Sequence, residues 1–141
     1  MEFELIPLER SDPDLPRLKE LHQEESIARY IHISEHYFSY LTETDGVLYY
    51  KIKSGPLLLG GIQCEIMDDT LFLSICVGED HRRRGIAFAA LKAMASGLPE
   101  GIRRIEAAVD AENTPSLRLF EKLGFRRSGW AEGLLTYRLT R

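Results

Sequence analysis

Three strand-like segments follow one another with almost no room between them, and that succession limits the fold more than any other feature of the chain. Residues 47–53 (VLYYKIK), 56–67 (PLLLGGIQCEIM) and 70–77 (TLFLSICV) are separated only by Ser54-Gly55 and Asp68-Asp69. Connections this short join antiparallel neighbours, because a parallel crossover needs about a dozen residues or more. In the third segment Leu71, Leu73, Ile75 and Val77 share one face, and Phe72, Ser74 and Cys76 share the other. Gly60-Gly61 inside the second segment predicts a bulge or a close backbone approach.

Beyond Val77 the apolar period changes from two to that of a helix. From Gly85 onward Ala87, Leu91, Met94, Ala95 and Leu98 share one face, and Gly97 and Pro99 end the pattern. Residues 102–109 (IRRIEAAV) read as the next strand. Thr114 with Pro115 behind it is the expected N-cap of a second helix, with Ser116, Leu119, Phe120 and Leu123 as its stripe. Gly124 is expected to close that helix, with Phe125 packing back over its last turn. Strands are expected at 125–130 and 134–139.

At the N-terminus, residues 3–8 read as a strand. Asp12-Pro13-Asp14 signals a helix carrying Leu15, Leu18 and Leu21, and a second helical stretch falls within 27–41, ahead of an Asp45-Gly46 turn. The order is therefore β-α-α-β-β-β-α-β-α-β-β. Its strand–helix–strand unit over 71–109 implies one parallel pair in an otherwise antiparallel sheet. The expectation is an α/β (layered α+β) fold in one domain, residues 1–141: a mixed, mostly antiparallel central sheet flanked by helices.

Composition narrows the function. Of 141 residues 44% are hydrophobic, enough for a packed core. The net charge of −4 argues against a general nucleic-acid partner. No apolar run approaches the roughly 20 residues of a membrane span, and the first residues lack the pattern of a signal peptide. Two cysteines without a CxxC spacing, Cys64 and Cys76, are expected to be reduced and buried, which fits a cytoplasmic protein. His32 and His36 are spaced to share a helix face beside Glu35, but HExxH is missing and no metal is expected.

Against that acidic background Arg82, Arg83 and Arg84 stand directly before Gly85, where a strand hands over to a helix. A helix N-terminus offers unpaired N–H groups and the positive end of its dipole. Glycine admits a ligand close to the backbone, and arginines add donors suited to phosphate. The pattern suits a pyrophosphate cradle. Neither GxxxxGK[ST] nor GxGxxG is present.

What is present, Arg82-Arg83-Arg84-Gly85-Ile86-Ala87, resembles the [QR]-x-x-G-x-[GA] motif of the GCN5-related N-acetyltransferase (GNAT) superfamily. Residues 113–125 (NTPSLRLFEKLGF) resemble that superfamily's second cofactor motif, and the element order agrees along almost the whole chain. The resemblance implies a GNAT fold with a splayed parallel strand pair and acetyl-CoA as cosubstrate. Cys76 and Val77 would end the splayed strand, with Val77 backbone on the pantetheine arm and a nearby N–H on the thioester carbonyl. Arg82, Arg83, Arg84, Gly85, Ile86, Ala87 and Phe88 would hold the pyrophosphate. Asn113 and Ser116 would meet the pantetheine, and Phe120 takes a position where the family often has a tyrosine that protonates the leaving thiolate. A proline common after the strand is replaced by Glu79.

The implied reaction is acetyl transfer to a primary amine, on a small molecule or a protein, by a monomer or homodimer. The strand 70–77 carries no acid to serve as base. Glu35, His36, Glu65 and Asp68 are candidates by type only. Three rivals follow: a CoA- or acyl-CoA-binding module with weak or no catalysis, an enzyme using a larger acyl donor, and an anion- or polynucleotide-binding surface without CoA.

Overall fold

The computed structural model describes residues 2–141. Seven strands form one sheet: β1 (Glu4–Pro7), β2 (Val47–Ser54), β3 (Leu57–Met67), β4 (Thr70–Val77), β5 (Arg104–Asp110), β6 (Arg126–Ala131) and β7 (Leu134–Thr140). Their order across the sheet is β1-β2-β3-β4-β5-β7-β6. The β4–β5 pair is parallel and the others are antiparallel, as the short connections and the single crossover require.

Five helices accompany the sheet: α1 (Leu15–Gln23), α2 (Glu25–Ala28), α3 (Tyr37–Glu43), α4 (Ile86–Ser96) and α5 (Thr114–Lys122). The single helical stretch expected within 27–41 is instead two short helices separated by non-helical backbone over 29–36. Ile31 and Ile33 are β-branched and alternate with polar residues, a pattern that disfavours helix there. His32 and His36 consequently share no helix face, and His36 pairs with exposed Glu35. Among the described residues no His, Cys, Asp and Glu cluster has the makings of a metal site, and no helix is long and apolar enough to cross a membrane.

Two apolar cores lie on the two faces of the sheet. One joins Leu71, Leu73, Ile62 and Tyr137 to α4 and α5. The other joins Tyr49 and Cys76 to Leu18, Leu21, Ile27, Phe38 and Leu41 of α1 to α3. The alternation along β4 thus feeds both: Ile75 and Val77 pack with the first core, Cys76 with the second. In α4 the buried stripe is Ile86, Ala90, Leu91 and Met94, one step round the helix from the expected Ala87. That rotation leaves Ala87 and Phe88 bordering a cavity.

Local chemistry fixes the element ends. The N-cap of α5 is Asn113, whose side chain accepts from the Ser116 N–H; Thr114, the expected cap, is the first helical residue. At the other end the Phe125 N–H donates to the Phe120 carbonyl and the Gly124 N–H to that of Glu121, with Gly124 at φ +92°. This is the Schellman arrangement, and the Phe120 and Phe125 rings meet at 5.1 Å. Asp12 and Asp14 open α1 without capping it. Their carboxylates bind Lys51 at 2.9 and 2.8 Å, and Asp14 also binds Lys53.

Candidate functional site

β4 and β5 pair only over Thr70–Arg104, Leu71–Ile105 and Phe72–Glu106. Beyond Phe72 they diverge, although β4 stays paired with β3 as far as Val77 and β5 with β7 as far as Asp110. The Gly78 N–H donates to the Leu59 carbonyl. By the alternation of an antiparallel ladder, the Val77 N–H and carbonyl then face away from β3, toward the gap. In this structure that carbonyl accepts from Arg82 Nε at 3.1 Å.

The chain leaves β4 through a 3-10 turn at Glu79–His81 and enters α4 through two left-handed residues, Arg83 at φ +63° and Gly85 at φ +74°. Left-handed backbone is costly for arginine and free for glycine. A Cβ at Gly85 would meet nothing within 4 Å, so the glycine answers to the backbone angle and keeps the space before it open. Among the described residues no N–H from Arg83 to Phe88 has a backbone partner; the next donor, Ala89, closes the first helical bond to Gly85. Successive N–H groups turned outward in such a loop form an anion-binding nest, and the dipole of α4 adds to it.

Gap and turn open on one cavity of about 610 Å³. β4 supplies Cys76 and Val77, the turn supplies Arg82 and Arg83, α4 supplies Ile86, Ala87 and Phe88, and α5 supplies Ser116. Among the described residues no aspartate or glutamate borders it, whereas Arg29, Arg82, Arg83 and Lys122 do. In a chain of net charge −4 this is a local cationic pocket, the field an anionic ligand needs. Its size suits a ligand held in a cleft.

Most residues singled out from the sequence meet here: Cys76, Val77, Arg82, Arg83, Gly85, Ile86, Ala87, Phe88, Asn113 and Ser116 all border the cavity. Arg84 and Phe120 do not. Phe120 is buried at 2% exposure, against Phe125 and stacked on Tyr137. It is its neighbour Leu119 that faces the cavity. Cys76 borders the cavity while its Sγ lies 3.9 Å from His22 Nε2 in the second core, and burial pushes the thiol up to about 11. A thiol so buried is a packing group, not a nucleophile.

Sequence reasoning missed the wall made by Ser26, Ile27, Arg29 and Tyr30, since nothing local announces that α2 lies over β4. It also missed Lys122, although the three-residue stride from Ser116 through Leu119 carried the signal. None of Glu35, His36, Glu65 or Asp68 borders the cavity. Glu65 accepts from the Tyr40 hydroxyl at 2.9 Å.

The fold recurs widely among solved structures. A domain from Methanocaldococcus jannaschii superposes with a TM-score of 0.83 at 19% identity, over 99% of this chain and 100% of that one. Spermidine N-acetyltransferase from Vibrio cholerae, solved with CoA and spermine, gives 0.79 at 17% identity, over 98% and 95%. Arabidopsis thaliana NAA60, solved with a bisubstrate analogue, gives 0.79 at 19%, over 99% and 98%. No curated protein sequence matches the chain. Residues 9–125 match the Acetyltransferase (GNAT) family, and the chain belongs to that family.

Proposed function

We propose that residues 1–141 act as an acetyl-CoA-dependent N-acetyltransferase whose acceptor is a primary amine. One observation carries the reading: the unpaired N–H groups of residues 83–88 lie in an acid-free cationic cavity that opens at the β4–β5 gap. The pyrophosphate would take the N–H groups and Arg83. The pantetheine arm would lie along α5 past Ser116 and Asn113 and enter the gap. There the Val77 backbone would bind it once Arg82 Nε gives up the Val77 carbonyl. The amine acceptor is supported by structural neighbours named for spermidine and by a neighbour solved with a bisubstrate analogue.

The chemistry is direct transfer. A neutral amine attacks the thioester carbonyl, the C–N bond forms, the C–S bond breaks, the CoA sulfur leaves with the electron pair, and the nitrogen, made cationic by the attack, releases one proton to solvent to give the neutral amide. An alkyl ammonium has a pKa of about 10 and must first lose a proton. None of the candidates by type borders the cavity, but His81 does, so that proton goes to His81 or to water. Phe120 has no hydroxyl and lies in the core. The sulfur therefore departs as a thiolate, an acceptable leaving group since a free thiol has a pKa of about 8.5. A backbone N–H at the gap polarises the carbonyl as negative charge develops on it.

The lack of a carboxylate in the cavity lining also favours a second reading, a CoA-binding module with little turnover. Calorimetric titration with acetyl-CoA tests the first step of both. Gly85→Glu should abolish binding, because it sets bulk and negative charge against the pyrophosphate. Gly85→Asn, which tolerates the left-handed angle better, should retain most of it. Unchanged affinity in a folded Gly85→Glu protein would sink the cradle. Release of CoA thiol over a panel of primary amines then separates enzyme from binding module.

A further inference from the structure

The cavity wall on α5 runs the length of the helix. Asn113, Ser116, Leu119 and Lys122 border the cavity at every third position. At about 1.5 Å per residue they span roughly 13 Å. Asn113 stands just beyond the end of β5, beside the gap. At the far end Lys122 Nζ lies 4.7 Å from the centre of the Phe88 ring, in the first turn of α4. Lys92, one turn further along α4, brings its Nζ to 5.8 Å from the same ring. Neither lysine forms an ion pair with a carboxylate among the described residues.

An aromatic ring with two uncommitted ammonium groups near it thus stands beside the N–H nest. Acetyl-CoA carries two anionic groups, the pyrophosphate and a phosphate on the ribose 3′ oxygen, set apart by the sugar. The nest and Arg83 account for the first. We infer that Lys122, steadied over the Phe88 ring with Lys92 beside it, binds the ribose 3′-phosphate and makes the protein select acetyl-CoA over its 3′-dephospho form. The inference rests on the proposed donor. The cation–π contact limits the rotamers Lys122 samples, so less freedom is lost when the phosphate arrives.

The test is calorimetric titration of wild type and Lys122→Met with acetyl-CoA and with 3′-dephospho-acetyl-CoA. Methionine keeps the apolar stem over Phe88 and removes the charge. Wild type should prefer acetyl-CoA by about tenfold, and added salt should narrow that preference. Lys122→Met should lose affinity for acetyl-CoA by the same factor, hold its affinity for the dephospho form, and so discriminate little. A preference that survives Lys122→Met, or equal weakening of both ligands, overturns the inference. So does a wild type that binds both forms alike, which leaves the donor assignment standing. A wild type that binds neither removes the donor reading and this inference together.

Discussion

Gly61 has no room for a side chain. A Cβ there would collide with the ring and hydroxyl of Tyr49 on the neighbouring strand. Tyr49 is almost wholly buried and its hydroxyl meets His22 Nε2 at 3.0 Å, so it has little freedom to retreat. Gly61→Ala should therefore lower stability by about 1–3 kcal/mol through overpacking. Gly101→Ala, with nothing within 4 Å of the new methyl, should move it by less than about 0.5 kcal/mol. Urea denaturation of the two variants decides it, and equal midpoints would mean that Tyr49 has another place to go. The glycine pair was legible as a bulge or a close approach, and both occur. Leu59 goes unpaired between Ile52–Gly60 and Lys53–Leu58, and Gly60 runs against the Cys76 carbonyl. Which residue crosses which glycine depends on strand register, and register is set by the partner strands, not by the glycines themselves.

At the scale of one element, α5 separates folding from binding. Its ends were readable because caps are local: Gly124 closes the helix at a left-handed angle and Phe125 returns to Phe120, as expected from the order of residues alone. Its exposed face was less so, because only the packing of α5 against α4 decides which stripe looks into the cavity. Ser116 belongs to both worlds. It is the third helical residue after the Asn113 cap and it borders the cavity. Ser116→Glu completes a capping-box pattern and places a negative charge at the positive end of the helix dipole, a gain of roughly 0.3–1 kcal/mol. The same side chain would fill and charge the channel assigned to pantetheine. Stability should hold or rise while acetyl-CoA affinity falls at least tenfold, about 1.4 kcal/mol. Thermal denaturation and calorimetry on one preparation test both halves. Retained affinity would show that the first turn of α5 is not a wall of the donor channel.

Across the whole molecule the two faces of the sheet answer differently to pH. The face carrying α4 and α5 packs apolar residues throughout its core. The other face buries His22 beside Tyr49, and Asp12 with Lys51. Burial lowers His22 to about 4 from its ordinary 6.5. Above about pH 6.5 the ring is neutral folded or unfolded and pH has no hold on it. As pH falls below that value the unfolded chain gains a proton that the folded chain refuses, so stability declines until the folded pKa is reached. The decline approaches 1.4 kcal/mol per pH unit and totals about 3 kcal/mol between pH 6.5 and 4. Burial alone would raise Asp12, but hydrogen bonds from the Asp14 N–H, Lys51 and the Glu9 N–H hold it below 3.8; Lys51 and Lys53 lower Asp14. Their contribution is complete above about pH 3.8 and is lost only as pH falls further. Acid should therefore act in two windows, histidine first and carboxylates second. In His22→Gln the first window should vanish and the second remain, read from urea midpoints taken at about pH 7.5, 5 and 3. A wild type that stays level from pH 6.5 to 4 would mean that His22 takes its proton in the folded state. The helix that holds His22 leads directly into α2, whose Ser26 and Ile27, with Arg29 just beyond its end, form one wall of the cavity. The first acid window should thus weaken that wall while the N–H groups at the start of α4, anchored on the apolar face, keep their geometry.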